Sequence, residues 1–108
     1  MEAGKLDRRI TIQRATVTRN AMNEEVETFA PLLTVWASAR AVSDGERMQA
    51  GELTATRMMR FQIRWREDLR DIGAEEEVVF ESRRFVIRAV KELGRREGIE
   101  ITAEARAE

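Results

Sequence analysis

The stretch that most constrains the fold is residues 57–66, Arg-Met-Met-Arg-Phe-Gln-Ile-Arg-Trp-Arg. Successive side chains of a β-strand point to opposite faces, so strict alternation of apolar and polar residues predicts a strand. A helix here would mix arginines into the apolar stripe, which excludes a helix. The strand should therefore anchor the core and display a basic face. Met59, Phe61, Ile63 and Trp65 share the apolar parity, and Arg60, Gln62, Arg64 and Arg66 share the other.

The residue inventory excludes several kinds of chemistry. The 108-residue chain has no cysteine and no histidine, which removes disulfides, thiolate zinc sites and the commonest general base and transition-metal ligand. Consecutive carboxylates in a loop rarely converge on one cation, so residues 75–77 predict no metal site. We expect a protein without catalytic residues, metal or cofactor, which is not an enzyme. No apolar run is long enough to span a bilayer, and we expect no membrane partner.

Alternation elsewhere predicts further strands in a single domain over residues 1–108. Residues 6–18, 32–42, 78–81, 84–90 and 99–104 have this pattern, with Pro31 at the start of the second strand. Val17 breaks the parity of the first strand, which indicates an irregularity. Residues 19–27, with Asn20 and Asn23 as turn formers, and 67–77 read as long loops. Ser43-Asp44-Gly45-Glu46 has the spacing of a helix capping box, which predicts a short helix from residue 44 to 50 or 53.

These elements predict a mainly β protein, either a small barrel or a sandwich. Closure into a barrel would remove exposed strand edges, which favours a small antiparallel β-barrel of about six strands with one short helix and long loops. A tight hairpin is expected on Ser82-Arg83, with Phe80, Phe85 and Ile87 in the core. Trp36 should cap a hydrophobic cluster.

Charged residues occur in blocks although the net charge is only −1. Residues 57–66 hold four arginines and no acid, residues 67–81 hold seven acids and one arginine, and residues 83–96 are basic again. One interpretation is a solvated surface with paired cross-strand charges. The other is a molecule whose oppositely charged flanks meet copies of itself. Composition does not choose between them.

A row of arginines could also follow a nucleic-acid backbone. Single-strand binders interleave exposed aromatic residues with basic ones, whereas Phe61 and Trp65 lie on the parity opposite to the arginines. A nucleic-acid binder would also favour a positive net charge, which this chain lacks. A small basic-faced β-barrel that binds nucleic acid therefore stays as the alternative.

The order of several short motifs resembles the head-tail joining proteins of long-tailed bacteriophages, also called head-closure or stopper proteins. Two positions depart from the pattern. Such proteins tend to use glycine or asparagine where this chain has Ser82-Arg83, and an arginine where it has Glu77. The matching stretches are Leu6-Asp7-Arg8-Arg9-Ile10-Thr11-Ile12-Gln13-Arg14, Val35-Trp36-Ala37, Gly45-Glu46 with Gln49-Ala50, Phe61-Gln62-Ile63-Arg64-Trp65, Arg84-Phe85-Val86-Ile87 and residues 99–105.

The resemblance implies a structural subunit of a tailed phage, a prophage or a gene-transfer particle. Such a subunit forms a ring with its copies between the portal-adaptor complex and the tail, around a channel through which DNA passes without sequence-specific binding. It would be monomeric or weakly associated when isolated. It would occupy the host cytoplasm during assembly and the head-tail junction of the particle afterwards.

The same resemblance, with the charge blocks, gives candidate site residues. Subunit-interface or DNA-channel candidates are Arg57, Arg60, Arg64, Arg66, Glu75, Glu76 and Glu77. Candidates for a loop near the channel are Ser43, Asp44, Gly45, Glu46, Arg47, Gln49 and Glu52.

Overall fold

The computed structural model describes residues 6–42 and 57–106. A short 3-10 helix, Glu67–Leu69, is the one helical element in this part of the chain. The predicted short helix at residues 44–53 lies outside the described residues. The six strands are β1 (Arg8–Arg19), β2 (Glu25–Ala41), β3 (Met58–Arg64), β4 (Glu76–Phe80), β5 (Arg83–Leu93) and β6 (Gly98–Ala105).

The strands form one closed sheet in the order β1-β2-β3-β6-β5-β4. Every pair is antiparallel, and the pairing of β1 with β4 closes the ring between Thr11↔Val79 and Arg14↔Glu76. Closure satisfies backbone groups that an open sheet would leave unpaired at its edges. The predicted mainly β fold with six antiparallel strands is confirmed.

The core follows the alternation of β3. Met59, Phe61 and Ile63 are buried, and the rings of Phe80 and Phe85 meet Phe61 edge-on with centroids 5.3 and 5.8 Å away. Edge-to-face contacts of this kind add to the free energy gained by burying the rings. The predicted core positions Phe80, Phe85 and Ile87 are confirmed, as is the alternating burial of β6.

The hairpin of β1 and β2 is longer than the sequence predicts, and the loop expected at residues 19–27 is wrong in length. Only residues 20–24 separate the strands. The Asn20 side-chain oxygen accepts hydrogen bonds from the backbone N–H groups of Met22 and Glu24, at 2.9 and 3.0 Å. Asn23 has a φ of 62°, which asparagine tolerates better than most residues. The asparagines are turn formers, as predicted.

Pro31 lies inside β2, not at its start, which corrects the predicted strand boundary. The register shifts here, because Ile12 is opposite Leu33 while Gln13 is opposite Pro31. Leu32 is therefore the additional residue on β2, a bulge that accommodates a residue without a backbone N–H. The irregularity predicted for the first strand is therefore misplaced, because the bulge is on β2 and β1 runs without an additional residue. Val17 breaks the apolar parity of β1 because its side chain is 60% exposed.

Two other segments are corrected in detail. Residues 67–77 are not an open loop, since Leu69 and Ile72 are buried in the core and β4 begins at Glu76. The β4–β5 turn is centred on Glu81-Ser82, one position earlier than predicted, with φ values of 51° and 63°. Two successive positive φ values are typical of the type I′ turn that matches the twist of a two-residue hairpin.

Candidate assembly surface

One arginine of the β3 face, Arg60, is paired with an acid of β6, its neighbour in the barrel. Arg60 Nε lies 3.6 Å from Glu100 Oε1, and the Gln62 side-chain amide donates a 2.9 Å hydrogen bond to Glu100 Oε2. Arg60 and Glu100 are both mostly buried, with exposed side-chain fractions of 22% and 19%. Strand β3 has no acidic residue of its own, and Glu100 of β6 supplies the carboxylate that pairs with Arg60.

The other candidate arginines, Arg57, Arg64 and Arg66, are exposed. Arg66 donates from Nε and Nη2 to the two carboxylate oxygens of Asp68, at 3.0 and 3.1 Å. This hydrogen bonding is the main cause that raises the pKa of Arg66 and lowers the pKa of Asp68. The Arg64 guanidinium has no ion pair with any other residue of the described ranges.

The three candidate glutamates have different environments. Glu75 is exposed, whereas Glu76 and Glu77 are buried. Glu76 Oε1 lies 3.2 Å from Arg14 Nη2, and Glu76 Oε2 accepts a hydrogen bond from the Gly73 N–H at 3.1 Å. Glu77 accepts hydrogen bonds from Arg84 and Arg106, on β5 and just beyond β6. The oxygens of these two glutamates are thus engaged within the subunit.

The candidates for the channel loop lie outside the described residues. They are Ser43, Asp44, Gly45, Glu46, Arg47, Gln49 and Glu52.

A groove at one end of the barrel brings together residues that the sequence separates. It has a volume of about 910 Å³. The Arg9 guanidinium lies 4.8 Å from the ring centre of Trp36, and that of Arg96 lies 5.0 Å from Trp65. A guanidinium within about 6 Å of a ring centre is attracted electrostatically to the negative face of the aromatic ring. We call this surface the tryptophan groove, lined by Leu6, Asp7, Thr34, Val35, Trp36, Arg64, Trp65 and Arg66.

The groove corrects the prediction for Trp36, whereas Trp65 lies on the core-facing side as its parity predicts. Trp36 is 52% exposed and lies outside the buried core cluster, so it does not cap that cluster. Trp65 packs partly against the core, but it also lines the groove with Arg64 and Arg66. Strand β3 ends at Arg64, so strict alternation no longer governs the side chain that follows. The outward parity of Trp36, opposite to Val35 and Ala37, was the sequence signal for its exposure.

A second surface is the distal part of the β1–β2 hairpin, residues 15–29, which we call the arm. Strand β1 pairs with β4 only as far as Arg14, and beyond it the two halves of the arm pair with each other. Val17 is 60% exposed and Met22 is 78% exposed. Phe29 anchors the base of the arm, because the guanidinium of Arg84 lies 4.9 Å from its ring centre. The arm therefore presents apolar side chains to solvent.

Within residues 6–42 and 57–106, no group of three or more acidic residues is arranged to hold a metal ion. The same residues contain no helix long and apolar enough to cross a membrane. The described part of the chain is thus a small closed barrel with two surfaces that expose apolar side chains, and its buried carboxylates, Glu76 and Glu77, are paired within the subunit.

The sequence profile of the phage head completion proteins matches residues 1–106, and the chain belongs to this family. It is therefore a structural protein of the head-tail region of a phage or phage-like particle, as the resemblance implied. No curated protein matches the sequence significantly.

Several solved structures share the fold, including the following two. The solution structure of protein SF1141 from Shigella flexneri 2a superposes with a TM-score of 0.79 and 32% identity, over 100% of this chain and 99% of that chain. A chain from the virion of a native gene transfer agent particle superposes with a TM-score of 0.65 and 24% identity, over 92% and 93% of the two chains.

Proposed function

We propose that this protein is a head-closure, or stopper, subunit that assembles with its copies into a ring between the portal-adaptor complex and the tail. DNA passes through the ring without sequence-specific recognition. The subunit joins the particle from the host cytoplasm and stays at the head-tail junction. This role is that of a connector and needs no substrate and no cofactor.

The observation that carries the proposal is the presence of exposed apolar side chains in a member of the head completion family. Trp36, Val17 and Met22 are 52%, 60% and 78% exposed, although the barrel already has a closed core. Apolar side chains that are exposed on the arm and in the tryptophan groove favour protein partners at these two surfaces. The shared fold with a chain of a gene transfer agent virion supports a place in an assembled particle.

The second candidate function is nucleic-acid binding, and the tryptophan groove favours it. Trp36 and Trp65 could stack on bases while Arg64 contacts a phosphate. Two observations weigh against this role. The chain has a net charge of −1, and one arginine of the β3 face, Arg60, is paired with Glu100. Counterion release from phosphates favours a strongly basic surface, so a connector explains the charges better.

The test is the state of the particle when the subunit is absent or altered. Without the subunit, we expect DNA-filled heads that lose DNA or fail to receive tails. Replacing Arg64 and Arg66 together by glutamate should also block completion while leaving the barrel folded, because both side chains are exposed. Arg70→Glu is the matched control, since Arg70 is an exposed arginine whose ion pair with Glu67 is local.

Three measurements decide the outcome. The mass of the particle-associated form should correspond to several copies per junction. If the Arg64/Arg66 variant yields normal particles, these two arginines do not belong to the assembly surface. Completed particles in the absence of the subunit would overturn the connector function. Fluorescence anisotropy with a single-stranded oligonucleotide would support the nucleic-acid alternative if the free subunit binds tightly and the double variant does not.

A further inference from the structure

We propose that the arm of one subunit inserts into the tryptophan groove of the next subunit, so that each copy is both donor and acceptor. This inference rests on the proposed ring of copies. It assigns the contact to Met22 on the donor and to Trp36 and Trp65 on the acceptor.

The two surfaces lie at opposite ends of the same hairpin. Leu6 precedes β1 and lines the groove, whereas Met22 follows β1 and forms the tip of the arm. Strand β1 has 12 residues. At about 3.3 Å per residue it spans roughly 40 Å. The longest dimension of the described chain is 48 Å. The arm therefore cannot reach the groove of its own subunit, and a contact between them joins two molecules head to tail.

A head-to-tail contact uses different surfaces on its two sides. Repeating it adds subunits in one direction, and the chain of subunits closes into a ring when the rotation per step divides a full turn. An arm and a groove at opposite ends of the subunit satisfy this requirement, whereas a self-complementary patch would stop at a dimer.

The apolar groups on the two surfaces are complementary. Met22 is the most exposed of the large apolar side chains in the described ranges, and Trp36 is a large aromatic group that is 52% exposed. A methionine thioether packs favourably against aromatic rings. A volume of about 910 Å³ is large enough for the tip of a hairpin.

The charges are complementary as well. The arm carries Glu24, Glu25 and Glu27 against Arg19, so its net charge is negative. Around the groove, Arg9, Arg64, Arg66 and Arg96 outnumber Asp7 and Asp68. Complementary potentials of this kind steer association and fix the register of a contact.

The limited stability of the arm also favours its binding to another surface. An isolated two-stranded hairpin is only marginally stable in water. Apart from the backbone hydrogen bonds between its two strands, the arm is held by weak side-chain hydrogen bonds, such as the 3.3 Å bond that Thr28 Oγ1 donates to the Thr16 carbonyl oxygen. Insertion into a groove would bury its apolar side chains. A contact limited to a hairpin tip falls short of the roughly 1,200 Å² typical of stable complexes, so free subunits should associate weakly.

Site-directed disulfide formation tests the contact in assembled particles, because the chain has no cysteine of its own. Subunits with both Met22→Cys and Thr34→Cys should give a ladder of crosslinked multimers after mild oxidation, since each copy carries one donor and one acceptor. A mixture of Met22→Cys subunits and Thr34→Cys subunits should give dimers only. The control pair is Met22→Cys with Lys91→Cys, because Lys91 is exposed on β5, across the barrel from β2.

A charge exchange gives an independent measurement. Glu24→Arg and Arg64→Glu should each lower the yield of finished particles by about tenfold or more, and the double variant should recover most of the loss. Circular dichroism spectra should be unchanged, because both positions are exposed.

The outcomes separate this inference from the proposed ring. Several copies per junction without a Met22–Thr34 crosslink, or a ladder through Lys91 instead, would overturn the arm-in-groove contact and leave the ring intact. Crosslinks from Met22 to a different particle protein would also overturn it, in favour of an adaptor or tail partner. A single copy per junction would overturn the ring itself.

Discussion

Arg84 donates a 2.6 Å hydrogen bond from Nε to Oε1 of Glu77, whose side chain is only 4% exposed. The contact joins neighbouring strands β4 and β5, and Arg106 donates to the other oxygen of the same carboxylate. A buried carboxylate is tolerated only when its oxygens have donors, because desolvation otherwise costs several kcal/mol. Glu77 is thus a structural residue of the barrel.

Replacing Glu77 with glutamine should lower the free energy of unfolding by about 1–3 kcal/mol, because the charged acceptor of two arginines is lost. The value lies below that of a fully buried pair, since the side chains of Arg84 and Arg106 are 44% and 43% exposed and solvent screens them. Urea unfolding measures the change. Glu75→Gln, at the exposed neighbouring position, is the control and should have little effect. Equal effects of the two substitutions would contradict the structural role.

Replacing Phe61 with alanine should cost about 3–5 kcal/mol, because it empties a fully buried site. Phe61 is 0% exposed and contacts the rings of Phe80 and Phe85. Trp36→Ala is the control, since Trp36 is 52% exposed and should affect assembly more than folding. Thermal and urea unfolding of the isolated subunit compare the two variants. A larger loss from Trp36→Ala would contradict this division between core and surface.

Ser82→Gly should stabilise the protein by about 0.5–1 kcal/mol, because non-glycine residues in left-handed conformations cost about 1–2 kcal/mol. Ser82 has a φ of 63° at the second central position of the β4–β5 turn. Glycine is favoured there in type I′ turns. Ser82→Val is the opposite control and should destabilise, since a β-branched side chain fits this conformation poorly. If both variants unfold at the urea concentration of the wild type, the turn is not strained.

The carboxyl group of Asp68 should titrate below its ordinary pKa of 3.8, because Arg66 donates hydrogen bonds to the charged form. Because the pKa of Asp68 is lower in the folded state than in the unfolded state, this pair stabilises the fold at pH values above the ordinary pKa of 3.8. The contribution is lost as the pH falls through the lowered pKa. Carbon chemical shifts followed by NMR during a pH titration measure the effect. In Arg66→Gln the pKa of Asp68 should rise toward 3.8, and an unchanged pKa would contradict the assigned cause.

Local sequence pattern predicted the barrel strands well where one face is buried. The alternation of residues 57–66 and 99–104 reflects a backbone property of every strand, so it indicated β3, β6 and the Phe61 core without knowledge of any partner strand. The turn asparagines Asn20 and Asn23 were predicted for the same local reason. The β1–β2 hairpin was predicted too short because its arm is exposed on most positions, which weakens the alternating signal.

The order of the short motifs was enough to indicate the head-tail joining family, and the family match over residues 1–106 bears this out. Residue types alone also excluded cysteine and histidine chemistry. Each of these conclusions depends only on which residues are present and on their spacing along the chain.

The tertiary structure decided which charges and aromatic groups remain free for partners. Glu100 compensates Arg60 and Arg106 engages Glu77, although these partners are far apart in the sequence, and Arg84 engages Glu77 across the β4–β5 hairpin. Trp36 and Trp65 become neighbours for the same reason, because β2 and β3 lie side by side in the closed barrel. Alternation fixes the face on which a side chain lies, but the pairing of the strands and the packing of the chain around them determine the side chains it meets.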